Sequence, residues 1–263
     1  MTQEFDDKAP LLDHLIELRR RIANSVLAVL AGFFICYTFA DEVFAFLVAP
    51  LREIRGPDAK MIYTGLHEAF FTYMKVAFYS GLFLAVPVIL SQVWLFVAPG
   101  LYQHEKKFFF PFLFMTPVLF FAGGALAYTF VLPLMFQFFL SFATPSIEAL
   151  PSLKEYLSLV MTLIFSFGLV FELPVGILLL IKAGAVSTNA LVAKRKYFVV
   201  LAFIVAGVLT PPDPFSQIML AIPILIMYEA SIILGRKLEK SRDLAEAQAN
   251  QEDNKDQESQ EAE

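Results

Sequence analysis

Long apolar segments alternate along the chain with short stretches rich in charge, proline or glycine. A helix needs about 20 mainly apolar residues to cross a hydrocarbon core of about 30 Å. Six segments reach or approach this length, which predicts an all-α polytopic membrane protein with six transmembrane helices. The predicted spans are Ile22 to Phe39, Phe70 to Val97, Phe108 to Val131, Tyr156 to Ile181, Tyr197 to Leu209 and Phe215 to Leu234.

Prolines and length distinguish the later spans. The segment LPLMFQFFLSFA, residues 132–143, follows the third span and is set off by Pro133, which is typical of a short interfacial helix. The fifth span is too short for a full bilayer, and the TPPDPF turn at residues 210–215 joins it to the sixth. We therefore expect a shallow last hairpin.

Lysine and arginine concentrate on one side of the predicted spans. Since such residues mark cytoplasmic loops, both termini are predicted to be cytoplasmic. The residues that carry this bias include Arg19, Arg20, Arg21, Lys106, Lys107, Lys194, Arg195, Lys196, Arg236 and Lys237.

Three regions differ in composition. Residues 1–21 form an N-terminal segment, in which the leucines of LLDHLIELRRR at 11–21 recur at helical spacing and predict an amphipathic helix on the cytoplasmic surface. Residues 22–238 contain the six spans. Residues 239–263 are polar and acidic without apolar periodicity, which predicts a disordered tail.

The overall composition supports a membrane protein and excludes several other classes. Hydrophobic residues make up 58% of the chain, against about 45–50% in soluble domains. A single cysteine, Cys36, excludes an intrachain disulfide. Much of the net charge of -5 comes from acidic residues of the tail. The sequence contains no basic patch that would indicate binding of nucleic acid. The acidic N-terminus lacks the pattern of a cleavable signal peptide, so we expect the first span to be retained.

Glu172 interrupts the apolar segment FGLVFELPVGI, residues 167–177. A charged residue in the middle of a span carries a penalty of about 2.5–3.5 kcal/mol, and Pro174 predicts a helix kink beside it. Glu172 is therefore a candidate intramembrane polar site. The alternative is a hydrogen-bonded or protonated carboxyl that only packs against its neighbours.

Two further carboxylates lie in predicted cytoplasmic segments. Glu105 follows Phe96 in SQVWLFVAPGLYQHEKK, residues 91–107, and could form a site with it. Spacing alone equally allows a solvated Glu105 paired with Lys106 or Lys107, an interaction that contributes little. Because acidic residues contribute little to topology, Glu17 has no evident role in insertion and could be a second carboxylate near Glu105.

Catalytic and metal-binding motifs fail on inspection. HEAFF, residues 67–71, begins like a zinc-protease helix but has Phe71 where the second histidine is needed. The sequence offers no Cys/His cluster, phosphate-binding glycine loop or Gly-x-Ser-x-Gly elbow. We therefore predict a protein that is not an enzyme and that uses no cofactor or metal.

Four separated motifs together resemble the TatC family, the multispanning receptor of the twin-arginine protein translocase. They occur in the same order and cover roughly Leu11 to Leu238. The motifs are HLIELRRR at 14–21, WLFVAPGLYQHEKK at 94–107, FGLVFELPV at 167–175 and LTPPDPFSQ at 209–217.

The resemblance implies a receptor in the bacterial inner membrane that binds the twin-arginine signal peptides of folded cargo proteins. It implies a concave, glove-like bundle in which the fifth and sixth helices are short. TatA- and TatB-like single-span subunits, membrane lipid and other copies of the chain would be its partners. Transport would be driven by the proton-motive force, with no nucleotide hydrolysed by the receptor.

The resemblance also implies roles for individual residues. Glu105, Phe96 and Leu101 would form the signal-peptide site, assisted by Glu17 and Arg19. Glu172 would be the polar residue of the concave face. The residues implied in assembly or transport are Pro50, Asp213 and Gln217.

Two other functions fit parts of the pattern. A proton-coupled secondary transporter also combines an intramembrane carboxylate with broken helices, but the two halves of the chain show no convincing repeat. An intramembrane enzyme would need a nucleophile and base, or a metal site, that the sequence does not supply.

Overall fold

The computed structural model describes most of the chain. Side chains are described for residues 14–56, 60–96, 113–144, 150–211 and 213–240. The backbone is described for residues 8–56, 60–101, 106–144, 150–211 and 213–261.

The described backbone is almost entirely helical, as the apolar pattern predicts. One isolated β-bridge pairs Ile62 with Ser152. The helices are α1 Lys8–Thr38, α2 Ala40–Arg55, α3 Glu68–Leu101, α4 Lys106–Leu126, a π-helical turn Ala127–Val131, α5 Leu132–Leu140, α6 Leu153–Phe171, α7 Leu173–Lys182, α8 Thr188–Ala193, α9 Arg195–Leu209 and α10 Pro214–Glu261.

Among the described residues, five helical segments are long and apolar enough to cross a membrane, and each overlaps one of the predicted spans. The fifth predicted span corresponds to α9, which has only 15 residues and so falls short of the usual length. The five segments are His14–Thr38, Glu68–Phe96, Leu113–Leu140, Leu153–Lys182 and Pro214–Lys240.

The N-terminal amphipathic helix is not a separate element. It continues without a break into the first span as α1. No proline or glycine occurs between residues 11 and 31, and alanine, leucine and arginine are strong helix formers. The physical reason for the continuity is therefore the absence of any helix-breaking residue at the expected boundary.

The segment after the third span forms α5 and packs into the core, while its predicted position at the membrane interface stays a prediction. Leu132 and Met135 of α5 are fully buried. Pro133 lies in the first turn of α5, where its missing N–H is tolerated. The π-helical turn before it keeps α4 and α5 on one continuous path.

The helix α2 was not predicted. It follows α1 after a break at Phe39 and contributes Leu47, Val48 and Leu51 to the buried core. Their spacing of one, three and four residues places them on one helical face. A search for membrane-length segments overlooks this helix because its apolar part, residues 43–51, is too short to span a bilayer and has charged residues on both sides.

Glycines allow two helix pairs to approach to backbone contact. Where α1 crosses α3, a Cβ added at Gly81 would lie 2.4 Å from the backbone nitrogen of Phe33. Where α4 crosses α6, a Cβ at Gly123 would lie 2.4 Å from the carbonyl oxygen of Phe167. Both close approaches therefore join helices of the same chain.

The last helix, α10, extends to Glu261. Its backbone therefore continues through the polar region that composition predicts to be disordered. Side chains beyond residue 240 lie outside the described residues, and the disorder of the tail stays a prediction.

Candidate functional site

The antiparallel pair α1 and α3 brings the N-terminal motif to the end of the second span. Gly32, in the C-terminal part of α1, lies against Gly81 of α3. Nearer the start of α1, the ring of His14 stacks on the ring of Phe96, with centroids 4.4 Å apart. Two motifs separated by about eighty residues of chain are therefore adjacent in space.

Polar side chains continue this contact along the two helices. Arg21 donates to Glu17 one turn earlier at 3.0 Å and to the side-chain oxygen of Gln92 on α3 at 3.4 Å. Asn24 donates to the same oxygen of Gln92 at 3.3 Å. These contacts are partly or fully exposed, so both water and an incoming ligand can reach them. We call residues 14–24 and 92–96 the α1–α3 end.

The remaining residues predicted for the signal-peptide site lie next to this end in sequence. Arg19 is exposed on α1, two residues after Glu17. Leu101 is the last residue of α3, and its side chain lies outside the described residues. Glu105, which immediately precedes α4, also lies outside them. The structure thus places Glu17 about one turn along α1 from His14, which contacts Phe96, while the contribution of Glu105 stays a prediction.

Glu172 occupies a break between α6 and α7, as the proline predicts. Its N–H donates to the carbonyl of Leu169 at 3.1 Å, a tight turn, and its own carbonyl accepts from Gly176 at 3.0 Å. The side chain is half-buried, and its Oε1 has no hydrogen-bond partner among the described residues. A buried acceptor without a partner is available to a polar ligand group or to water.

Asp213 and Gln217 organise the start of α10. Asp213 Oδ1 accepts from the N–H of Ser216 at 2.7 Å, an N-cap contact, and its carbonyl accepts from the N–H of Gln217 at 3.2 Å. The amide of Gln217 donates to the carbonyl of Phe203 on α9 at 2.9 Å. The two residues therefore fix the geometry of the α9–α10 hairpin.

Pro50 lies buried inside α2, away from the start of α1 along the bundle. Glu68 at the start of α3 organises the same end of the molecule. Its carboxylate accepts from the N–H groups of Thr64, Gly65 and Lys154 at 3.0, 3.3 and 3.4 Å and from the hydroxyl of Ser152 at 3.3 Å. We call α2 with residues 60–68 and 151–156 the cap.

Sequence reasoning missed several residues that contribute to these sites. Gln92 and Arg21 meet across 71 positions of chain, and no local pattern indicates such a contact. Glu68 had a local signal, because an acidic residue just inside a helix start is typical of a capping contact. Among the described side chains, no group of three or more His, Cys, Asp or Glu could hold a metal ion.

Comparison with known proteins identifies the family. The profile of the family described as "Sec-independent protein translocase protein (TatC)" matches residues 13–223. The chain belongs to the TatC family. As a member, it is a membrane component of twin-arginine protein translocation and not an enzyme.

Named relatives are similar over nearly the whole chain. A TatC protein of Magnetococcus marinus is 63% identical over 247 residues, covering 94% of this chain and 91% of the relative. The TatC protein of Escherichia coli K12 is 42% identical over 231 residues, covering 88% and 90%.

Solved structures of the family have the same fold. A crystal structure of the twin-arginine translocase receptor TatC superimposes with a TM-score of 0.76 at 40% identity, covering 85% of this chain and 98% of the other. A second structure, in the detergent DDM, gives a TM-score of 0.77 at 39% identity, covering 84% and 99%. The resemblance inferred from four motifs is confirmed.

Proposed function

We propose that this TatC-family protein is the receptor subunit that binds twin-arginine signal peptides of folded cargo proteins at the α1–α3 end. The observation that carries the proposal is the contact of His14 with Phe96 beside the Glu17 carboxylate. It places an aromatic surface and an acceptor of guanidinium groups together. The connection that contains Glu105 begins six residues after Phe96, directly after the end of α3 at Leu101.

The chemistry of arginine supports this location. A carboxylate holds a guanidinium through two parallel hydrogen bonds, a geometry that a lysine ammonium does not reproduce. Glu17 already accepts from Arg21 at 3.0 Å, so its position suits an arginine donor. A second carboxylate at Glu105 would provide for the second arginine, with Phe96 and Leu101 contacting apolar parts of the peptide and Arg19 assisting nearby.

The proposed arrangement in the membrane adds a sixth span and a topology to the five membrane-length segments. We propose six spans, with α9 as a short fifth span, both termini in the cytoplasm and a concave, glove-like surface. The three regions remain those of the sequence: residues 1–21, 22–238 and 239–263. The bacterial inner membrane is the proposed location.

Glu172 would serve the apolar part of the bound peptide. A helical segment entering the membrane exposes unsatisfied backbone groups at its end, which need polar partners there. The half-buried Oε1 of Glu172, without a partner among the described residues, could accept such a donor. Glu172→Ala is expected to make the inserted peptide cross-link at a shallower depth and to slow export.

The residues at the cap and the last hairpin would serve assembly. Pro50, Asp213 and Gln217 lie in elements that shape these surfaces, where TatA- and TatB-like single-span subunits and other copies of the chain would dock. Transport by the assembled complex would use the proton-motive force.

Peptide affinity tests the proposal. The purified full-length protein is titrated with a twin-arginine signal peptide and its twin-lysine counterpart, as wild type and as Glu105→Ala. We expect tighter binding of the arginine peptide, by about tenfold or more for a lost bidentate contact, and a smaller preference in the variant. Equal weak binding in all four combinations would contradict the proposal.

A further inference from the structure

Pro50 creates a defect in the hydrogen bonding of α2. A proline within a helix has no N–H, so the carbonyl four residues earlier loses its donor. In α2 this carbonyl belongs to Phe46. Buried or membrane-edge carbonyls need another partner, and neighbouring helices can supply one.

A tyrosine from the third membrane segment supplies that partner. The hydroxyl of Tyr128 donates to the carbonyl of Phe46 at 2.7 Å. Its ring lies nearly parallel to the ring of Phe46, with centroids 4.4 Å apart and an interplanar angle of 9°. Tyr128 lies in the π-helical turn Ala127–Val131, so this turn presents the hydroxyl that compensates the proline.

A second tyrosine contacts the next carbonyl along α2. The hydroxyl of Tyr156 on α6 donates to the carbonyl of Leu47 at 2.9 Å. Tyr156 is only 4% exposed, and its ring stacks on Phe136 of α5 with centroids 5.0 Å apart. Two successive carbonyls beside Pro50 are therefore held by two different membrane segments.

We propose that Tyr128 and Tyr156 are positioning residues that hold α2 against the third and fourth membrane segments, through the Phe46 carbonyl that Pro50 leaves without a helical donor and through the adjacent carbonyl of Leu47. The proline leaves the Phe46 carbonyl without a helical donor, so that Tyr128 can donate to it. Together with the bond from Tyr156 to Leu47, this contact fixes the orientation of α2 in the cap. Any effect of this positioning on translocon assembly rests on the proposed role of Pro50 in assembly. The positioning of α2 by the two tyrosines does not depend on that role.

A double-mutant cycle tests the positioning. Hydrogen exchange of the segment 40–55 is measured in the full-length protein, in lipid nanodiscs, for Tyr128→Phe, Pro50→Ala and the double variant. Tyr128→Phe is expected to accelerate exchange in the Pro50 protein by roughly three- to tenfold, the loss of one hydrogen bond. With alanine at position 50, its N–H can reach Phe46, and the same change is expected to alter exchange by less than about twofold.

Tyr63→Phe is the matched control, since this cap tyrosine is 58% exposed, and it should leave the exchange unchanged. An equal effect of Tyr128→Phe in both backgrounds, or no effect in either, would overturn the proposal. If Pro50→Ala does not fold, Tyr156→Phe replaces it: accelerated exchange confined to the segment 40–55 supports the proposal, and unchanged exchange overturns it.

Export of a twin-arginine reporter provides the functional readout. Tyr128→Phe should lower export several-fold, comparable to its effect on exchange, while peptide affinity at the α1–α3 end stays at the wild-type value. Unchanged export with altered exchange would overturn the link to assembly. A wild-type protein without preference for the arginine peptide would instead contradict the proposed function, while the exchange cycle would stand.

Discussion

The two ends of the α1–α3 pair are held together by different kinds of contact. At the cap, side chains bind backbone groups: Glu68 accepts from three N–H groups, and Tyr128 and Tyr156 donate to carbonyls. At the α1–α3 end, the polar contacts join side chain to side chain, as between Arg21 and Gln92.

This difference has a physical consequence for binding. Backbone groups cannot rotate away, so contacts to them fix the cap in one arrangement. Partly exposed side-chain pairs contribute about 0–1 kcal/mol and exchange partners readily. If the proposed binding site at the α1–α3 end is correct, the contacts of Glu17, Arg21 and Gln92 would open for an arginine ligand while the cap keeps the helices in register.

The largest expected effect comes from the glycine contact that supports both ends. Gly81→Ala places a methyl group 2.4 Å from the backbone of Phe33, which neither helix can avoid without shifting. We expect a loss of about 3 kcal/mol or more in stability, together with a loss of peptide binding. Thermal unfolding in detergent and a binding titration measure the two effects.

Gly176→Ala is the matched control for this substitution. Gly176 lies in α7, and nothing lies within 4 Å of a Cβ added there. Replacing a helical glycine at an open position should stabilise by about 0.5–1 kcal/mol. Equal destabilisation by the two substitutions would show that α1 and α3 do not approach as closely as described.

A smaller and more local effect is expected at the cap. Glu68→Ala removes the acceptor shared by Thr64, Gly65, Ser152 and Lys154, so the thermal midpoint should fall and hydrogen exchange of residues 60–66 should accelerate. Glu155→Ala, at an exposed carboxylate on α6, should change neither. If Glu68→Ala instead accelerated exchange at residues 14–24 as strongly, the two ends would not be independent.

The smallest effect on stability, and a selective effect on binding, is expected for Glu17→Gln. Its pair with Arg21 is partly exposed, so the stability change should stay below about 1 kcal/mol. Removal of the charge should weaken binding of the twin-arginine peptide by about tenfold. A titration with arginine and lysine peptides checks this, and an equal loss for both peptides would indicate a nonspecific charge effect.

Much of the helical architecture could be predicted because apolar segments of membrane length are unambiguous. The break at Glu172 was also predictable, since Pro174 removes a helical N–H. The N-cap hydrogen bond of Asp213 at the start of α10 also had a local signal, because an aspartate followed by proline is typical of a helix start.

The contacts between distant segments could not be predicted from local patterns. Small residues at Gly81 and Gly123 indicate close approach, but only the fold shows that Gly32 and Phe167 are their neighbours. The helix α2 escaped detection because its apolar segment, residues 43–51, is far shorter than a membrane span and contains Pro50. The hydrogen bonds from Tyr128 and Tyr156 to carbonyls of α2 depend on tertiary structure, which local sequence does not show.

Site-specific photo-cross-linking compares the two ends most directly. A photoreactive phenylalanine analogue is placed at Phe96 in the α1–α3 end or at Tyr63 in the cap, both aromatic positions, and the protein is mixed with a twin-arginine or twin-lysine signal peptide. We expect a cross-link from position 96 that is stronger with the arginine peptide, and little cross-linking from position 63. Equal cross-linking from both positions, or no preference for arginine at position 96, would contradict it.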